Sequence, residues 1–296
     1  MGDMPGWVAS REFWRTLVRD MRYRTPERPP LWISRHMPGL VSFVYHWRVG
    51  IVIFRLATHY LLRLFSVRRL ASGCYDILRI AELCGGRFDI TGLRHVAGAR
   101  RPVVYVANHM GSLETLVLNA LLLPFGDLTF VVKESLLSYP VFGLLLKGVD
   151  PIAVSRRNAR EDLKQTLDQG MKMIQRGRSV VIFPQATRST TFDSAAFNSL
   201  GVKLARKAGV PAIPLALKTD FVQNGTWIKD FGRIMPEKTI YMEFGPPVNI
   251  EDNGKAQHQA IKAFIIDRLK TWGAEVIEDR SPRHTHQASP GTGEVT

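Results

Sequence analysis

From residue 88 onward, short apolar runs alternate with longer segments whose apolar positions recur at helical spacing. The short runs predict strands over 88–91, 103–107, 128–132, 152–154, 179–183, 212–216 and 239–244. The longer segments predict helices over 112–123, 136–147, 158–176, 194–208 and 255–273. Strands that are apolar throughout and separated by helices predict an α/β fold, a central and mostly buried sheet covered by helices.

Ahead of residue 88 the pattern differs. Residues 7–20 predict a short helix, the proline- and arginine-rich stretch 20–38 an irregular connector, and 72–86 a helix ending at Gly85-Gly86. Between them, LVSFVYHWRVGIVIFRLATHYLLRLFSV (40–67) carries Arg48, Arg55 and Arg63 at intervals of seven and eight, close to two helical turns. That spacing places the three arginines near one stripe, with Trp47, Phe54 and Leu61 on the apolar remainder. The arginines leave no uninterrupted apolar stretch of about 18 residues, so the expectation is an interfacial amphipathic helix and not a membrane span. The competing reading is a helix packed on the protein's own core, its arginine stems snorkelling outward. The polar, arginine-rich first 30 residues do not read as a signal peptide. The expected organisation is a basic irregular extension (1–38), a membrane-docking helical segment (39–86), the α/β domain (87–278) and a disordered tail (279–296).

Charge sharpens this picture. The 296 residues carry a net charge of +14, and residues 1–70 hold twelve arginines, no lysine and four acids. Such a face suits nucleic acid, an anionic membrane or a phosphorylated substrate. Here the arginines stand among aromatics and no nucleic-acid recognition module is present, which favours the membrane surface over nucleic acid. Cys74 and Cys84 have no metal or redox spacing, so free thiols in a reducing compartment are expected. The chain lacks a P-loop, a Gly-x-Ser-x-Gly elbow and a His-Glu-x-x-His pair, and no residue pattern implies a metal or cofactor.

The run VVYVANHMGSLETLVLNALLL places His109 at the end of a predicted strand and Glu114 in the first turn of the next helix. Gly111 suits a tight turn and Ser112 an N-cap. On a continuous helix, residues five apart point in different directions; across a strand-turn-helix corner the carboxylate can fold back onto the imidazole. A carboxylate on one ring nitrogen fixes the tautomer and leaves the other to take a proton from a hydroxyl. A histidine beside an acid is otherwise a structural, hydrogen-bonded one.

NHMGSLE resembles the first motif, NH-x4-D, of the glycerolphosphate and lysophosphatidate acyltransferase superfamily. KESLLSYPVFGLLLKGVDPIAVSR is similar to the second, with Lys133, Glu134, Pro140, Gly143, Gly148, Ile152 and Arg156 at matching positions. VVIFPQATRS resembles the third, usually FPEGTRS, and Val210–Pro214 the fourth. The resemblance implies transfer of a fatty acyl group from a thioester, acyl-CoA or acyl carrier protein, to a lysophospholipid hydroxyl. The leading candidate acceptor is 1-acylglycerol-3-phosphate. It further implies His109 as base, Glu114 as its orienting carboxylate, and Lys133, Arg156, Gln185, Thr187 and Arg188 as acceptor-binding residues. The arginine-rich amphipathic segment is expected to dock on the cytoplasmic face of a membrane. Two departures stand out: Glu114 replaces the family's aspartate, and Gln185-Ala186 its Glu-Gly. Ala186 disfavours the positive φ that glycine permits. The departures keep two alternatives open, a different lysolipid acceptor such as an amino-acid-containing lipid, and a non-catalytic lipid-binding scaffold. The apolar segments 136–147 and 116–125 are the expected walls of an acyl channel.

Overall fold

The computed structural model describes residues 6–27, 36–185, 187–225, 230–236 and 238–278, with the backbone alone at 6–9 and 38. The predicted tail, residues 28–35 of the connector and Ala186 lie outside the described residues.

The strands in chain order are β1 (Tyr23–Arg24), β2 (Arg87–Thr91), β3 (Val104–Ala107), β4 (Leu128–Lys133), β5 (Ile152–Val154), β6 (Ser179–Ile182), β7 (Phe192–Asp193), β8 (Ala212–Lys218), β9 (Thr239–Phe244) and β10 (Val276–Ile277). The helices are α1 (Gly6–Asp20), α2 (Pro38–Leu61), α3 (Val67–Leu83), α4 (Leu93–Gly98), α5 (Leu113–Leu122), α6 (Phe142–Val149), α7 (Ala159–Gln175), α8 (Leu200–Ala208) and α9 (Lys255–Thr271). One eight-stranded sheet has the order β1-β2-β9-β8-β3-β6-β4-β5, and β7 pairs separately with β10. Neighbours from β8 to β5 are parallel; β9 runs antiparallel to β8, and β2 parallel to β9. The carboxyl ends of five parallel strands therefore gather at one end of the sheet, the place where open α/β sheets bind ligands.

The alternation of side chains divides the core between the two faces. Tyr105, Ala107, Ile213, Leu215 and Leu217 pack with α1, α2, α3 and α5 on one face. Val104, Val106, Ala212 and Ala216 pack with α7, α8 and α9 on the other. Strands covered on both faces are apolar along their buried length, as β3, β6 after Ser179 and β8 up to Lys218 are. Toward the edge, β2 and β9 alternate buried and part-exposed positions.

Several elements depart from the sequence expectation. Tyr23 and Arg24 pair antiparallel with Ile90 and Asp89, where an irregular connector was expected. The anchor is a buried Glu82 carboxylate that accepts from Tyr23 Oη at 2.6 Å and Thr25 Oγ1 at 2.8 Å. The predicted helix over 136–147 is two pieces, a 3-10 turn at Glu134–Ser138 and α6, separated around Pro140. The helix predicted from 194 begins at Leu200, after turns in which Ala195 N donates to Asp193 Oδ1 and Leu200 N to Asn198 Oδ1. Val117, Leu118, Ala120, Leu121 and Leu122 of α5 are core residues, not channel walls. The core on that face runs from Phe13 to Phe244, so residues 6–27 and 39–86 share it with the α/β portion.

The arginine stripe is also cut short. Helix α2 ends at Leu61, with Arg63 N bonded to Tyr60 O and Leu64 N to His59 O, and Arg63 takes a left-handed φ of 57°. Arg48 and Arg55 remain on the helix; Arg63 belongs to the turn. Both cysteines are free and buried, and burial pushes the Cys84 thiol up to about 11.

Candidate active site

Residues from the first three motifs meet at the carboxyl ends of the parallel strands, while the fourth motif, Val210–Pro214, enters β8 at its opposite end. His109 follows β3, Thr219 follows β8, Gln185 and Arg188 follow β6, Lys133 ends β4, and Arg156 follows β5. The corner at β3 is locked by Asn108, whose amide donates to Leu217 O at 2.7 Å and accepts from Leu217 N at 2.8 Å. This buried clamp ties the turn to β8, so the chain leaves β3 in one direction only.

His109 Nδ1 lies 2.9 Å from Glu114 Oε1. The same oxygen accepts from Met110 N and Gly111 N, each at 2.8 Å, and Thr219 Oγ1 donates to Oε2 at 2.6 Å. Glu114 is fully buried. Burial pushes its carboxyl up, but the bond to and charge of His109, the Thr219 hydroxyl and the Gly111 N–H outweigh that and hold its pKa below the ordinary glutamate value. An ionised carboxylate is an acceptor only, so Nδ1 carries the proton and Nε2 presents a lone pair. Nε2 has no partner among the described residues, and the imidazole is 11% exposed. Phe183 stacks on the ring at a centroid distance of 4.2 Å and 19° between planes, fixing its second face.

The helix start works differently from the sequence expectation. Ser112 occupies the N-cap without a side-chain bond; the Glu114 carboxylate takes the two turn N–H groups instead. Gly111 is used for its N–H and does not adopt a positive φ. The extra methylene of Glu114 is accommodated without loss of the imidazole contact.

Gln185 is buried, and its Oε1 accepts His109 N at 2.7 Å. That bond pins the His109 backbone, a task an amide carbonyl performs as well as a carboxylate. A second tie, from Ser189 N to His109 O at 3.0 Å, holds the Gln185–Ser189 loop against the histidine. Arg188 emerges from this loop and pairs with Asp230. Arg156 takes a left-handed φ of 59°, and partial burial followed by the like charge of Arg188 lowers its pKa. The two guanidiniums therefore share one electrostatic neighbourhood. Lys133 is exposed on β4, two strands from β3, or roughly 10 Å across the sheet. Thr187 is exposed on the same loop as Arg188.

Thr219, Asn108, Phe183 and Asp230 are the parts that motif reasoning missed. Asn108 stood beside His109 in the motif, but its clamp to β8 depends on which strand lies alongside.

The acyltransferase family model matches residues 87–218, the stretch that contains this cluster apart from Thr219 and Asp230. The chain is 30% identical over 209 residues to a 1-acyl-sn-glycerol-3-phosphate acyltransferase of Pseudomonas aeruginosa, spanning 70% of this chain and 76% of that one. It is 24% identical over 188 residues to the protein of the same name from Borreliella burgdorferi, covering 63% and 72%. Its fold is similar to the crystal structure of the 1-acyl-sn-glycerophosphate acyltransferase PlsC from Thermotoga maritima, with a TM-score of 0.63 at 14% identity, over 81% of this chain and 98% of that one. Similarity that extends over most of a bacterial relative, and not over the motifs alone, shows that the chain belongs to the acyltransferase family, enzymes of lipid biosynthesis.

Proposed function

We propose that this enzyme moves a fatty acyl group from a thioester to the free hydroxyl of 1-acylglycerol-3-phosphate, with His109 as general base. The observation that carries the reading is the fourfold-bonded, ionised Glu114, which leaves His109 Nε2 unpartnered at the site mouth. Nε2 takes the proton as the acceptor oxygen attacks the thioester carbonyl carbon. The C–S bond then breaks, and the imidazolium returns its proton to the departing thiolate. Products are the diacylated phosphate lipid and a free thiol. Glu114, already anionic, stabilises the imidazolium between these steps.

Arg188 and Arg156 supply the charge for the acceptor phosphate, with Lys133 reaching in from β4. Asp230 occupies the Arg188 fork in the absence of substrate. A partly exposed carboxylate pair is worth about 0–1 kcal/mol, so a phosphate dianion can replace it. Thr187 stands beside that fork.

The membrane supplies both acyl chains. Helix α2, through Gly39–Leu61, is long and apolar enough to cross a bilayer, with 33% of its most apolar window buried. Val41, Tyr45, Val49, Val52 and Leu56 pack into the protein core along most of its length, which a span surrounded by lipid could not do. The opposite side exposes Leu40, Phe43, Trp47, Ile51, Phe54 and Leu61, at intervals of three to seven residues. A helix apolar on both sides, with one side already on the core, lies in the interface of the membrane it docks on, on the cytoplasmic face.

Transfer by the purified protein, with acyl-CoA and acyl carrier protein donors and a panel of lysolipids, tests the acceptor. Transfer to 1-acylglycerol-3-phosphate, with a KM raised about tenfold or more by Arg188→Ala, supports the reading. Transfer only to a phosphate-free or amino-acid-containing lysolipid, indifferent to Arg188, contradicts it.

A further inference from the structure

Beyond the far half of α5, helices α1, α2 and α3 enclose a groove of about 550 Å³. Trp14 forms part of its wall, and Trp14 Nε1 donates to Ala120 O at 3.0 Å. Ala120 lies six residues past Glu114, about 9 Å along the helix. The groove is therefore separate from the strand-end cluster around His109.

Its lining is strongly one-sided in charge. Arg11, Arg55, Arg68 and Arg69 face it, against the single carboxylate of Asp76, which pairs with Arg55. Arg68 and Arg69 form no ion pair among the described residues. The buried Nδ1 of His59, also in the lining, has no hydrogen-bond partner among the described residues. Four guanidiniums around a concave, tryptophan-walled space suit a multiply charged oxygen anion carried on an apolar body. The apolar body is accounted for next door: Leu61, Leu62, Leu64 and Val67 are exposed at the junction of α2 and α3, where the docking stripe of α2 ends.

We propose that this groove binds the phosphate headgroup of an anionic membrane phospholipid, its acyl chains passing over the exposed leucines at the end of α2. A free phosphate would satisfy the arginines but gain nothing from Trp14 or the leucines, which is why the lipid is the source favoured. The inference rests on the reading of α2 as the docking face. It does not depend on the acceptor or on His109. Its consequence is orientation: an anchor at the α3 end of α2 fixes how the molecule lies on the surface while the strand-end site works on other lipids.

The test is equilibrium binding of the whole protein to vesicles of phosphatidylcholine alone and of phosphatidylcholine mixed with phosphatidylglycerol. The wild type is expected to prefer the anionic vesicles by about tenfold or more, and R68E/R69E to lose that preference while still binding neutral vesicles. The same change of net charge on α7, K164E/K172E, is expected to leave most of the preference intact. Arg68→Ala alone, the milder change, is expected to reduce the preference in the same direction should the double variant melt early. Equal losses in both double variants would make the effect one of net charge and overturn the site. So would R68E/R69E behaving as wild type, or release from anionic vesicles by millimolar glycerol phosphate at constant ionic strength, which would mark a site for free phosphate. A wild type that binds neutral and anionic vesicles equally removes the groove but leaves the docking face; one that binds neither removes both.

Discussion

Glu114 shows how a buried charge becomes useful. A fully buried carboxylate without partners costs several kcal/mol and would protonate instead. Four donors, from His109, Met110, Gly111 and Thr219, reverse that outcome and keep the anion. Because its folded pKa is depressed, Glu114 contributes stability above the ordinary glutamate pKa of about 4.3 and loses it as pH falls through that value toward the folded one. Glu114→Gln is therefore expected to be less stable than wild type by about 1–3 kcal/mol near neutrality, with the gap closing as pH falls from about 6 to about 3. Urea melts at a series of pH values measure this; a gap that does not narrow would mean that Glu114 is not the ionised partner described. At this scale the histidine and its carboxylate were legible, because the motif puts both in one short run. Thr219 was not, since a threonine after a strand has no pattern of its own and meets Glu114 only because β8 lies beside β3. Gln185 stood in the third motif, but its bond to the His109 backbone was not legible, because its distance from His109 in the chain says nothing of such a contact.

Elements were read best where one physical rule governs. Strands β5 and β9 were predicted to the residue, since uniformly apolar or cleanly alternating runs admit few alternatives. The two-residue strand β1 escaped, because it is held by Glu82 and not by any apolar pattern of its own. Helix α2 was found, but its arginine spacing was extended one arginine too far; the chain turns at Arg63 before the third comes round. What the arginines obscured is that α2 has two apolar sides, one on the core and one exposed. Replacing Trp47 and Phe54, each more than 60% exposed, by aspartate is expected to abolish binding to neutral vesicles while leaving the melting temperature within a few degrees. Sedimentation with vesicles and circular dichroism decide it together. Retained binding in a folded variant would mean that α2 does not dock.

For the whole molecule, the central fact is topological. Residues from Asn108 to Thr219, more than a hundred positions apart, become one site because five parallel strands end at the same side of the sheet. The order of the motifs along the chain was visible and the family resemblance rested on it; that His109 and the Gln185–Arg188 turn sit just past strand ends followed from the apolar runs. The coupling of the N-terminal helices to the same core was not visible, since Leu17 and Leu56 announce burial but not what they are buried against. The picture we propose is a sheet with its chemistry at one end, a docking helix along one face and an arginine groove beyond it. Its central claim is that His109 moves the proton. The most direct test is steady-state transfer to 1-acylglycerol-3-phosphate by the wild type and by His109→Ala, both shown to be folded by circular dichroism. The variant is expected to show a kcat lower by on the order of 100- to 10,000-fold with KM changed little. A folded His109→Ala variant with near-normal kcat would contradict it.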